Sequence, residues 1–239
     1  MSLRIAAAPP LIVPVEDLLR ETGAAADEAD IMRRILAEYR TTLLGDRHPL
    51  AEFRYRHMAR KVVGVGSVGT RAWVILLTGR DDDDPLLQAK EAQESVLERF
   101  LEPSAHASHG ERLVRGQRLM QASSDIFLGW QSIVWVDGRR RDFYLRQLQD
   151  GKGGLDPDVM TARGAALYAR ACGETLARAH SRSGDRVEIA GYLGSSSAFD
   201  DAITSFAEAY AEQNQRDFDA LTAALDSGRL PRVPRTVEE

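Results

Sequence analysis

The residues best suited to chemistry are a glycine-rich segment and a lysine that follows it one predicted strand later. Residues 62–71 read Val-Val-Gly-Val-Gly-Ser-Val-Gly-Thr-Arg, which spells G-x-G-x-x-G with Gly64, Gly66 and Gly69. Glycine lets a backbone approach a phosphate closely, because it has no Cβ and accepts positive φ angles. In a dinucleotide-binding fold such a loop leads into a helix. In a kinase-like fold it joins two antiparallel strands and covers the nucleotide phosphates.

The residues after the loop favour the kinase-like arrangement. The run Arg71–Leu77 is β-branched and aromatic and has no helix cap, so it predicts a strand. Lys90 follows the short apolar run Leu86–Ala89, where a kinase-like site needs a lysine that reaches the α- and β-phosphates. We therefore predict a nucleotide-binding site formed by Gly64, Gly66, Ser67, Val68, Gly69 and Lys90.

An acidic partner for the lysine is expected on the helix predicted directly after it, and Glu94 and Glu98 are the candidates. The alternative is that the glycines form only a tight hairpin and that Lys90 is a solvated cation at the start of a helix.

The elements that must position these residues follow from hydrophobic spacing and turn signals. Helices are predicted at Glu28–Leu44, Glu91–Leu101, Gly110–Ala122, Asp158–Ser181 and Ala198–Leu225. Strands are predicted within Val62–Leu77, at Leu86–Ala89, and at Ser132–Val136 and Asp142–Leu148, with Asp137-Gly138 as the turn of a hairpin. This order predicts an α+β fold, with a small antiparallel sheet and a mostly helical second lobe.

The same pattern predicts how the chain is divided. Residues 1–27 are an extended lead-in, 28–150 an α+β lobe with the glycine loop, 151–227 a helical lobe and 228–239 a flexible tail. The glycines of 151–154 predict a linker between the two lobes.

Composition and charge narrow the classes of function. The chain has 239 residues with 44% hydrophobic residues and a net charge of −5, as in an ordinary globular protein. No apolar run is long enough for a membrane span, and the acidic balance disfavours nucleic-acid binding. A single cysteine, Cys172, fits a reducing cytoplasm, and its place on an apolar helical face predicts packing. His106 and His109 lack further ligands at metal spacing, so we expect no metal site there.

Five runs of residues carry a resemblance to a known family. They are residues 59–71, 87–92 and 116–121, Arg146-Gln147-Leu148, and residues 177–185. Together they resemble a widespread bacterial family known as domain of unknown function 2252, from about Pro9 to Ala224.

The resemblance carries expectations about function. Longer members of this family have an additional N-terminal part, with a Gly-Asp-x-His-x-x-Asn-Phe-Gly run and an Asn-Asp-Phe-Asp run. Those runs resemble the catalytic loop and metal-binding segment of aminoglycoside-phosphotransferase-like kinases, and neither occurs in this sequence. The resemblance therefore implies a kinase-like partial fold that binds ATP with Mg²⁺, and a phosphotransferase activity that needs the missing part.

Two alternatives remain open on the sequence alone: a non-catalytic binding or scaffold module, and a truncated gene fragment. The expected partners are a nucleotide and either an N-terminal half or a second copy of the chain.

Overall fold

The computed structural model describes residues 3–22, 35–45, 48–62, 64, 69–80, 84–134, 138–148 and 154–231. The chain divides into two compact units, residues 1–183 and 184–239.

The first unit is built on one six-stranded antiparallel sheet. Its strands in spatial order are β1, β2, β3, β4, β6 and β5, and each neighbouring pair is antiparallel. Their bounds are β1 Ile12–Pro14, β2 Arg54–Lys61, β3 Ala72–Thr78, β4 Leu86–Ala92, β5 Gly129–Val134 and β6 Arg140–Gln147. The predicted α+β class and its antiparallel sheet are thus confirmed.

The other main elements are helices. In the described residues they are α1 Val15–Thr22, a helical segment at 35–40, α2 His109–Met120, α3 Ala162–Ser183, α4 Arg186–Leu193 and α5 Ala198–Asp226. Short 3₁₀ turns lie at Pro49–Glu52, Val96–Arg99 and Pro157–Val159.

One face of the sheet carries the hydrophobic core. All of Ala72–Leu77 in β3 is buried, as expected for a continuous apolar run in a central strand. The helical segment 35–40 packs on the core face through Tyr39, which is fully buried and donates its hydroxyl hydrogen bond to the carbonyl of Phe127. A Cβ at Gly129 would lie 2.7 Å from the Tyr39 ring, so this contact requires a glycine.

The opposite face is covered by α2, which packs on β4, β5 and β6. The guanidinium carbons of Arg115 and Arg118 lie 5.4 and 5.8 Å from the centre of the Trp130 ring. Arg118 also donates to the carbonyl of Thr42, at 3.1 Å, and to that of Leu128. Burial lowers the pKa of Arg118, and the charge of Arg115 lowers it further. Arg118 therefore ties α2 to the edge of the sheet at β5.

A buried histidine anchors the N-terminal segment on β2. His57 is 4% exposed, its Nε2 lies 3.2 Å from a carboxylate oxygen of Glu16, and its Nδ1 accepts a hydrogen bond from the backbone of Ile5. Arg4 pairs with the same carboxylate. Burial raises the pKa of Glu16, but its backbone hydrogen bond and its contacts with His57 and Arg4 outweigh this effect, so that its pKa lies below 4.5.

Several predicted elements differ from the structure. The helix predicted at Glu91–Leu101 is wrong, because β4 continues to Ala92 and only the 3₁₀ turn Val96–Arg99 follows. Helix α1 lies inside the stretch predicted to be an extended lead-in, and α4 was not predicted. The helices predicted at Gly110–Ala122 and Ala198–Leu225 are confirmed within two residues at each end.

The second unit consists of α4 and α5. Asp185 begins α4 by accepting hydrogen bonds from the backbone of Val187, at 2.8 Å, and Glu188, at 3.1 Å. The ring of Tyr192 in α4 packs edge-on against Phe199 in α5, with 6.2 Å between ring centres.

Candidate functional site

Lys90 lies in the interior of the sheet, on the strand that neighbours β3. It pairs with Ala72 of β3 on one side and with Tyr144 of β6 on the other, and its side chain is half-buried. Leu87 and Ala89 point into the core. Because side chains alternate along a strand, Lys90 lies on the opposite face, which is the face that α2 covers.

The glycine segment connects β2 to β3, two adjacent antiparallel strands. Gly64 is exposed, and Gly69 is exposed with a φ of +82°, a conformation that favours glycine. Gly66, Ser67 and Val68 lie outside the described residues. Ala72 comes three residues after Gly69 and stands opposite Lys90, so the register brings the end of the glycine segment close to the lysine.

A carboxylate fixes the start of β3 beside Lys90. Glu91 accepts hydrogen bonds from the backbone N–H of Arg71, at 3.0 Å, and from its guanidinium, at 3.3 Å. The backbone N–H of Glu91 in turn donates to the carbonyl of Arg71, at 2.8 Å. Arg141 of β6 brings a second guanidinium to within 3.8 Å of the Glu91 carboxylate. These contacts hold Arg71, the last residue of the glycine segment, against the strand that carries Lys90.

The structure places the two candidate carboxylate partners of Lys90 after the end of β4. Glu94 is exposed, and Glu98 lies in the 3₁₀ turn with its side chain 12% exposed. The carboxylate of Glu98 lies 3.8 Å from the guanidinium of Arg112, which also donates to the carbonyl of Gln93, at 2.6 Å. A role of Glu94 or Glu98 beside Lys90 stays a prediction.

Sequence reasoning missed Arg71, Glu91 and Arg141 as residues that position the site. Their ion pairs join segments that are far apart in the chain, and the spacing of residues within one segment does not predict such pairs. The family resemblance could have pointed to two of these residues, because Arg71 and Glu91 both lie inside the runs that resemble the bacterial family.

The arrangement combines an ammonium group with a connection between two strands that contains Gly64 and Gly69. Such a connection offers backbone N–H groups to an anion, and a lysine adds a compact positive charge. Within the part of the chain that the structure describes, no three His, Cys, Asp or Glu side chains form a cluster suited to a metal ion. Among the same residues, no helix combines the length and apolar character needed to cross a membrane.

The fold and site define an α+β protein whose antiparallel sheet presents a lysine beside a glycine-containing strand connection. Residues 1–224 match the model of a family described as an uncharacterized protein conserved in bacteria (DUF2252). The chain therefore belongs to this family, as its sequence runs predict. No curated protein and no solved structure matches the chain.

Proposed function

We propose that the glycine segment and Lys90 bind the phosphates of a nucleotide, with Mg-ATP as the expected ligand. The observation that carries this proposal is the register of β3 on β4, which puts Ala72 opposite Lys90 and Gly69 three residues away. A kinase-like site has the same succession: a strand, a glycine turn, an antiparallel strand, and a lysine on the next strand. The proposal relates the chain to phosphotransferases through the binding of phosphates, and assigns no catalytic residue.

The position of the glycine turn supports the proposal over a plain hairpin. Glu91 and Arg71 fix the base of the turn through one side-chain ion pair and two backbone contacts. Because the base is fixed, the end of the glycine segment stays close to the strand that carries Lys90. A fixed base reduces the conformational entropy that the glycine segment loses when a ligand binds.

The test is the thermal unfolding midpoint of the chain with and without millimolar Mg-ATP. A nucleotide present at ten times its Kd stabilises the folded state by about 1.4 kcal/mol. For a chain of this length, that corresponds to a rise of roughly 3–6 °C in the midpoint. Lys90→Ala is expected to abolish the rise, because it removes the charge that faces the phosphates.

The matched control is Arg216→Ala, which removes the same charge from an exposed position on α5. The control should keep the full rise. An equal rise in the unsubstituted chain and in Lys90→Ala would refute the site, and so would the absence of any rise in the unsubstituted chain.

A second candidate is a binding or scaffold module that associates with a second copy of itself. The observation that favours it is the exposure of neighbouring large apolar side chains on α5, where Phe206 is 63% and Tyr210 60% exposed and their rings stack on each other. Contiguous exposed apolar surface on a globular protein often marks an interface. Light scattering tests this candidate: a stable dimer that Mg-ATP does not change supports it, and a monomer at all concentrations refutes it.

A further inference from the structure

A polar cleft lies on the same face of the sheet as Lys90. Its volume is about 470 Å³, and it is formed by β4, the end of β6, the C-terminal half of α2 and the segment that follows α2. Ligand pockets for small molecules fall in this range of volume. Its polar lining includes four glutamines, an aspartate and an arginine: Gln88, Gln117, Gln121, Gln147, Asp125 and Arg146.

Gln88 is the feature that sets this cleft apart from an ordinary surface groove. It lies on β4 between β3 and β6 and is only 5% exposed, yet it lines the cleft. Its side chain lines the cleft, where the amide can both donate and accept hydrogen bonds. A polar side chain on a central strand that is held in place and faces a cleft is suited to bond a ligand there.

The other side of the cleft is held rigidly by Asp125. One of its carboxylate oxygens accepts from the backbone N–H of Phe127, at 2.8 Å, and the other from that of Gln147, at 2.7 Å. These two bonds pin the segment after α2 to the end of β6. The walls of the cleft are therefore formed before any ligand binds.

The charges of the cleft favour a neutral ligand. Arg146 stands in register opposite Gln88 on the neighbouring strand, and Asp125 lines the same space. The positive and negative charges of Arg146 and Asp125 cancel formally. A ligand of either sign would therefore meet one group of like charge within the cleft.

The hydrogen-bonding groups favour a ligand rich in hydroxyls. A glutamine amide both donates and accepts hydrogen bonds, and so does each hydroxyl of a polyol. Every hydroxyl that faces a glutamine can therefore form a hydrogen bond with it. A nucleobase instead needs aromatic or apolar surface against its flat faces. The cleft has only Leu128 and Leu148 as large apolar lining residues among those described.

We propose that this cleft binds a neutral polyhydroxylated compound of the size of a mono- or disaccharide. The site is separate from the phosphate site, because it depends on Gln88 and the residues after α2 and not on Lys90 or the glycine segment.

The test measures binding of glucose, maltose and myo-inositol to the full chain at millimolar concentration by calorimetry, with adenosine as the contrasting probe. We expect at least one of the three polyols to bind and Gln88→Leu, which keeps the size of the side chain but removes its amide, to weaken that binding by at least about tenfold. Gln117→Leu on α2 should also weaken it and decides the question if Gln88→Leu does not fold. Gln215→Leu on α5 is the matched control and should bind like the unsubstituted chain.

Three results would overturn the proposal. They are the absence of binding by all three polyols, polyol binding that neither Gln88→Leu nor Gln117→Leu weakens, and a preference for adenosine over the polyols. The phosphate site is tested by the unfolding midpoint with Mg-ATP and this cleft by polyol calorimetry, so a failure of one and a failure of the other give different results.

Discussion

Two glycines on the same helix test how α2 docks on the sheet. Gly110 lies in the first turn of α2, and a Cβ built there would lie 2.5 Å from the carbonyl oxygen of Phe143 and 3.1 Å from Cβ of Trp130. The nearest atom belongs to the backbone of β6, so it cannot rotate away as the end of a side chain could. Gly116 lies in the middle of the same helix, and a Cβ there would meet nothing within 4 Å.

The two alanine variants should therefore change stability in opposite directions. Overpacking a close contact costs about 1–3 kcal/mol, so Gly110→Ala should lower the free energy of unfolding by this amount. Gly116→Ala should raise it by about 0.5–1 kcal/mol, because alanine loses less backbone entropy in a helix. The difference between the two variants is then about 1.5–4 kcal/mol.

Urea denaturation followed by tryptophan fluorescence measures this difference, because Trp130 lies at the contact between α2 and the sheet. The denaturant slopes of the two variants should agree, which would show that the same surface is exposed on unfolding. If Gly110→Ala is as stable as Gly116→Ala, then α2 does not pack closely on β6 and the walls of the polar cleft are not positioned as described.

Three further predictions concern single side chains. Tyr39→Phe should lower the free energy of unfolding by about 1–2 kcal/mol, measured by urea denaturation, because it leaves the buried carbonyl of Phe127 without its donor. Because folding lowers the pKa of Glu16, its ionised carboxylate stabilises the folded chain above pH 4.5, and this stabilisation is lost as the pH falls through the folded-state pKa. Denaturation at a series of acidic pH values should therefore show a smaller loss of unfolding free energy in Glu16→Gln than in the unsubstituted chain. Cys172 should react with a thiol reagent in the native chain as fast as in the unfolded chain, because it is exposed, and strong protection would contradict its position on α3.

The sheet could be predicted where the signal is local. The buried run of β3 and the hairpin of β5 and β6 both appear in the sequence as short apolar stretches with turn residues between them. Gly138 at this turn has a φ of +72°, which is the conformation that its Asp-Gly signal predicts.

The stretch after Lys90 shows where local signals fail. Val96, Leu97 and Phe100 have the spacing of an apolar helical face, but in the structure all three are exposed. Glu91 instead extends β4, where it pairs with Arg71, directly before β3, and with Arg141 of β6. Such ion pairs depend on the order of the strands in the sheet, which a local sequence pattern does not show. Here these tertiary contacts override the local helix propensity of the stretch.

The predicted packing of Cys172 was wrong for a related reason. Cys172 is exposed, and Tyr210 is 60% exposed, although both lie at positions typical of a buried helical face. Periodicity shows which face of a helix is apolar, but it does not show whether another surface covers that face.

Side chains along β4 alternate between the two faces of the sheet, and this alternation separates structural from functional roles within one strand. Leu87, Ala89 and Glu91 face the core side, where they fill the interior or pair with arginines. Gln88 and Lys90 face the side that α2 covers, where Gln88 lines the polar cleft and Lys90 lies near the end of the glycine segment. Substitutions at the first set should therefore change stability, whereas substitutions at Gln88 and Lys90 should change ligand binding. Because adjacent residues share the same backbone, this contrast separates an effect on a site from an effect on the fold.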